Sequence, residues 1–89
     1  MKETESEFHE YLMQLPALER AAAITHRIYM LTACRTGWPT RTPERWADLD
    51  NSARQYNIES IQTWLQETEL FDRFQGAIAE ARASRGGKP

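Results

Sequence analysis

The side chains of this sequence that could do chemistry are few, and their spacing does not suit it. His26 and Cys34 are the natural base and nucleophile, but nucleophilic catalysis needs the two in contact and a third group orienting the base. Eight positions apart on one helix, they stand about two turns, roughly 12 Å, from each other. That is too far for direct proton transfer. Asp48 and Asp50 are two apart, and helix neighbours at that spacing point in different directions; they suit helix capping better than acid–base work. No Cys or His cluster has metal-ligand spacing, and Gly86-Gly87 has no helix after it to cradle a phosphate. The expectation is therefore no cofactor, no metal and no enzymatic activity. Cys34 is expected to be a small buried filler, and His26 a half-buried histidine hydrogen-bonded to backbone or carboxylate.

Binding chemistry is better represented. Between Gly37 and Asn57 the chain gathers Trp38, Trp46 and Tyr56 with Arg41, Arg45 and Arg54, and Arg35 lies just upstream. Aromatic faces stack on planar ligands, and the forked guanidinium pairs with phosphate or carboxylate. Trp38, Arg41, Arg45, Trp46, Arg54 and Asn57 are the candidate contacts for a small anionic ligand. Trp46, three residues before Leu49, also has the spacing of a core residue. Arg54 and Asn57 would share a helix face and serve equally to pin the loop, whereas Tyr56 would point elsewhere and pack. Arg54 also stands where it could pair with Asp50 across one helical turn.

Nine of the eleven cationic residues are Arg, yet the net charge is −2. The charge is graded: −3 over residues 1–14, +2 over 15–57 and −1 over 58–89. No helix is strongly basic, which argues against DNA as partner. At 40% apolar and 27% charged, the composition is that of a globular domain. With 89 residues the core is marginal, so homo-oligomerisation is an expected means of support. The opening Lys2-Glu3-Thr4-Glu5-Ser6-Glu7 is too polar for a signal peptide, and no apolar run approaches the ~20 residues of a membrane span. A cytoplasmic protein without membrane association is expected.

Thr4 to Glu7 has the form of a capping box opening a first helix to about Gln14, with Phe8, Tyr11, Leu12 and Leu15 inward. Pro16 suits the first position of a second helix. There Ala17, Ala21, Ile24, Ile28 and Leu31 form an apolar stripe, and Ala21-Ala22-Ala23 allows close approach of another helix. Gly37 is the natural stop. Thr42-Pro43 would open a third helix bearing Trp46 and Leu49, and Asp50 would cap a new start carrying Ala53, Asn57, Ile58, Ile61, Trp64 and Leu65. Thr68-Glu69 would cap a last helix, unless the preceding one runs through unbroken. The reading is all-α: a small irregular bundle of four to five helices in one domain over 1–82, with a flexible tail over 83–89. Ile24, Ile28, Leu31, Ile61 and Leu65 are expected in one core.

Over residues 22–66 the chain resembles the ryanodine-receptor-type repeat, a small helical module also found in bacterial and phage proteins. His26 with Tyr29 matches that module's His and following aromatic, and Gly37-Trp38 matches its Gly-Trp step. Leu49 followed by Arg54, Tyr56 and Asn57 matches its Leu and Arg-x-Tyr-Asn, and Ile58 to Leu65 its next amphipathic helix. The sequence departs where Pro39-Thr40 replaces the Tyr-Gly after the Gly-Trp step and where Trp46-x-x-Leu49 stands in place of His-Pro-x-Leu. The resemblance implies a non-enzymatic module that senses nucleotide-derived ligands in phage or bacterial conflict. So short a chain is expected in a phage or mobile element. The function expected is capture of a small anionic ligand; the alternative is a protein-interaction module that inhibits a host or defence protein.

Overall fold

The computed structural model describes residues 4–86, and all structural statements below concern these. Helices make up 79% of the described residues, and there is no strand among them. Helix α1 spans Glu5–Leu12, α2 Ala17–Thr36, α3 Asn51–Gln66 and α4 Thr68–Gly86, with a single 3₁₀ turn at Trp46–Asp48. The fold is a small irregular all-α bundle.

Local chemistry sets the helix ends. The Thr4 hydroxyl accepts from the Glu7 N–H at 3.1 Å, and the Glu7 carboxylate accepts from the Thr4 N–H at 2.9 Å. The bond from the Thr4 N–H, together with the Thr4 hydroxyl beside the carboxylate, holds the Glu7 carboxyl below its ordinary value, with Arg45 adding a favourable charge. A depressed carboxyl pKa stabilises the fold above the ordinary Glu range and loses that contribution as pH falls through the folded value. Acidification should therefore loosen the first turn of α1. Glu7→Gln should abolish that part of the acid sensitivity, seen as a smaller stability difference between neutral and acid urea titrations; an unchanged difference would exclude the box as its source.

Helix α2 begins at Ala17, with Pro16 one position outside it as the cap rather than as its first residue. Arg20 ties the two helices together by donating to the carbonyls of Leu12 at 3.2 Å and Leu15 at 3.0 Å, just past the end of α1; the Leu12 carbonyl also accepts from the Leu15 N–H at 3.0 Å. Gly37 ends α2 in the left-handed region at φ 73°, and the Trp38 N–H returns to the Ala33 carbonyl at 2.9 Å. A methyl group placed on Gly37 would meet nothing within 4 Å. Gly37→Ala should thus lose about 1–2 kcal/mol through backbone conformation alone, measured by chemical denaturation. A cost near zero would mean that α2 can end another way.

Two expected boundaries are corrected. Thr42-Pro43 opens no helix: residues 38–45 are irregular, and Trp46 and Leu49 are buried from one 3₁₀ turn. Three-residue spacing suits that tighter helix, and Asp50 then starts α3 by accepting from the Ala53 N–H at 2.8 Å. At the far end, α4 runs to Gly86, through the first four residues of the expected tail; 87–89 lie outside the described residues. Helices α3 and α4 are separate, broken at Glu67, whose φ −92° and ψ 64° are not helical.

The core is built from Phe8 and Leu12 of α1, Ala22 and Ala23 of α2, and Trp46 and Leu49 of the connecting segment. Ala22 and Ala23 are completely covered, so the small residues do let neighbours close in. Ile58 and Ile61 of α3 pack against this cluster from its edge. The expected core stripe is corrected. Ile24, Ile28 and Leu31 face outward, with Ile28 58% exposed, and Leu65 is exposed as well. At about 100° per residue their face lies roughly half a turn from that of Ala22, His26, Met30 and Ala33, which is buried instead. Cys34 is exposed rather than a buried filler. It sits beside Leu31 and Arg35 on the outer side of α2.

Candidate functional site

The irregular segment after Gly37 is held onto α2 by His26. Its Nε2 lies 3.0 Å from the Pro43 carbonyl and 3.2 Å from that of Glu44, so this nitrogen donates to backbone as expected, while the residue is buried rather than half-buried. The Trp46 ring meets the imidazole edge-on at a centroid separation of 6.0 Å. Trp46 Nε1 donates to the Glu19 carboxylate at 2.9 Å. Trp46 is only 2% exposed and therefore belongs to the core.

The candidate ligand contacts do not converge. Trp38 is 70% exposed, and Arg41 and Arg45 are exposed. Arg45 lines a small depression with Glu7 and Tyr11 on the α1 side. Arg54 donates to the Asn51 side-chain oxygen at 2.6 Å and to the Ala47 carbonyl at 3.3 Å, so it pins the 3₁₀ turn to α3 instead of pairing with Asp50. Asn57 donates to the Ala53 carbonyl at 2.8 Å. Tyr56, expected to pack, is 74% exposed.

Of the six, Asn57 alone lines the cleft between α2 and α3, an open concavity of about 460 Å³. His26, Tyr29, Leu49 and Tyr56 line it too, and Thr25 and Thr42 add hydroxyl groups. Tyr29 reaches the loop through its hydroxyl, 3.3 Å from that of Thr40. No lysine or arginine lines this cleft, so it offers aromatic faces and neutral hydrogen-bonding groups but no charge for an anion. Five of its lining residues, His26, Tyr29, Leu49, Tyr56 and Asn57, are positions on which the expected resemblance to the ryanodine-receptor-type repeat rests, whereas Gly37, Trp38 and Arg54 of the same pattern lie outside the cleft. What the sequence could not show was that the arginines between them point elsewhere.

No protein-family model, curated protein or solved structure matches the chain. Among the described residues no group of three or more His, Cys, Asp or Glu is placed to hold a metal ion. No helix among them is long and apolar enough to cross a membrane.

The other unusual surface is α2 itself. Ile24, Ile28 and Leu31 continue along its outer side to Cys34 and Arg35, with the Thr32 hydroxyl turned back onto the Ile28 carbonyl at 2.8 Å. A helix apolar on two opposite faces is one that packs on both. Here one face is covered and the other is bare.

Proposed function

We infer that the chain is a non-enzymatic interaction module that docks another protein, through an apolar helix, on the outer face of α2. The observation that carries this reading is the exposed Ile24–Ile28–Leu31 stripe, which has the helical spacing of a core face and lies opposite the real core. Against a small anionic ligand stands the dispersal of Trp38, Arg41, Arg45 and Arg54. An inhibitor of a host or defence protein, working in the cytoplasm, would use such a face.

Ile28→Lys should leave stability within about 0.5 kcal/mol of the parent, because an exposed position has little packing to lose. A loss of several kcal/mol in urea titration would return Ile28 to the core and remove the docking face. With the fold intact, a photo-crosslinking side chain at position 28, used in cells expressing the protein, should give one discrete adduct that Leu31→Lys abolishes. Failure to form it, or its survival in Leu31→Lys, would overturn the reading.

A second reading has its own observation: five of the residues that carry the resemblance to the ryanodine-receptor-type repeat, His26, Tyr29, Leu49, Tyr56 and Asn57, line one cleft, while Gly37, Trp38 and Arg54 lie outside it. In this reading the chain is kin to that repeat, in a phage or bacterial setting, and the cleft stacks a planar ligand between Tyr29 and Tyr56 while Asn57 and the Thr hydroxyls give polar contacts. A thermal-shift screen with nucleotides and cyclic oligonucleotides tests it, since a ligand held only by the folded state raises the melting temperature. The rise should vanish in Tyr56→Ala, whose side chain is too exposed to matter for folding. No rise with any of these probes would leave the interaction reading alone.

A further inference from the structure

Helix α4 carries nineteen residues, yet its only substantial packing among the described residues is against α3. That packing sits at its beginning, where Trp64 meets the rings of Phe71 at 5.9 Å and Phe74 at 5.1 Å. From the same turns onward, Leu70, Phe74, Ala77 and Ala81 repeat at intervals of four, three and four, the seam of a two-stranded coil. Leu70 and Phe74 are exposed along it, and Ile78 is exposed beside it.

The molecule as a whole is open for its size. Its accessible surface is 7144 Å², whereas a folded monomer of 10.4 kDa is expected to show about 5,400 Å². Its radius of gyration is 14.8 Å, against about 12 Å for a compact domain of this length. The surplus surface exceeds the ~800 Å² per partner that a standard interface covers.

The charges beside the seam select the occupant. Arg73 and Glu80 are seven residues apart on the same flank, each immediately preceding a seam residue. When two identical helices pair antiparallel about a two-fold axis, the same flank of each faces its copy. Arg73 of one copy then faces Glu80 of the other, twice over, about a centre near Gly76-Ala77. A parallel pair would set Arg73 against the opposite flank, where Phe71, Ile78 and Arg85 stand and no acid is available. In the antiparallel register Phe74 meets the small Ala81 and Ala77 meets its own copy, so large and small residues alternate across the seam. Arg73 also bonds Glu69 within its own helix at 2.9 Å, both side chains exposed, a pair weak enough to be shared.

We propose that the chain is a homodimer joined by antiparallel pairing of α4 with α4 of a second copy. The α2 face is separate from this seam, so the dimer presents two such faces.

Sedimentation equilibrium on the full chain from 1 to 200 µM tests the proposal. The expected mass is twice the chain mass at the upper end. Ala81→Glu, an exposed change, should give a monomer with unaltered helical circular dichroism. Arg73→Glu should weaken dimerisation at least tenfold, and the double reversal Arg73→Glu with Glu80→Arg should restore it. Orientation is read by oxidation in a Cys34→Ser background: Ala77→Cys should form a linked dimer and Leu70→Cys should not, because only position 77 lies near the axis. A monomeric parent at 200 µM, a dimer indifferent to Ala81→Glu, no rescue by the double reversal, or linkage at position 70 would each overturn it. These outcomes do not bear on docking at α2, which its own adduct reports.

Discussion

Trp46→Ala should lower the melting temperature by about 15–30 °C, equivalent to about 3–5 kcal/mol for a buried aromatic removed from a domain of this size. The whole domain should be worth only about 4–13 kcal/mol, so the variant stands near the limit of folding. The size of the effect follows from what the indole joins. It fills the centre of the cluster formed with Phe8, Leu12, Ala22, Ala23 and Leu49. The two alanines beside it cannot expand to fill the hole. Its N–H is bonded to Glu19, so truncation also removes the partner of a carboxylate at the start of α2. Trp46→Phe keeps a ring against His26 but not that bond, and should cost roughly 1–3 kcal/mol. Urea titration of the three proteins gives the order. If the alanine variant lies within 1 kcal/mol of the parent, the core is not centred on this residue.

The capping box at Thr4, the stop at Gly37 and the cap at Asp50 were legible because each depends on a few adjacent residues. The buried face of α2 was not. Two stripes on that helix share helical spacing: Ile24, Ile28 and Leu31 on one side, Ala23, His26, Met30 and Ala33 on the other. Apolarity favours the first stripe, yet the second is buried. Its small side chains let Trp46 and Phe8 supply the bulk, while its polar members find partners that are distant in sequence. His26 takes two loop carbonyls seventeen and eighteen residues away, and Arg27 takes Glu5 twenty-two residues earlier. Such partners have no local signature. The candidate site divides in the same way. Asn57, with the cleft residues His26 and Tyr29, lies on helices whose existence was readable from spacing and caps, though on α2 not which face is buried. Trp38, Arg41 and Arg45 lie in an irregular segment whose path depends on the His26 bonds, so composition could not say where they point.

Phe8→Ala should destabilise the domain by about 3–5 kcal/mol, although α1 is its shortest helix. Eight residues are too few for a helix to persist alone in water, so α1 exists only while it is docked. Phe8 and Leu12 are its buried residues, and the Arg27 guanidinium lies over the Phe8 ring, 4.5 Å from its centre. Arg27 is 6% exposed and reaches solvent through Glu5, which it contacts at 2.7 Å. Losing the ring thus removes apolar packing and the aromatic face beneath a buried cation together. Phe8→Leu separates the two, because it retains most of the bulk while giving up the cation–π contact, for about 0.5–2 kcal/mol. Arg27→Met removes the charge but fills similar space, and exchanging a buried ionic contact for apolar packing is often neutral or stabilising. The expected order of loss is Phe8→Ala first, Phe8→Leu second and Arg27→Met last. Amide exchange adds a local readout: in Phe8→Ala the α1 amides should exchange before those of α2 and α3. If α1 stays protected and stability moves by under 1 kcal/mol, then Phe8 does not hold α1 in place.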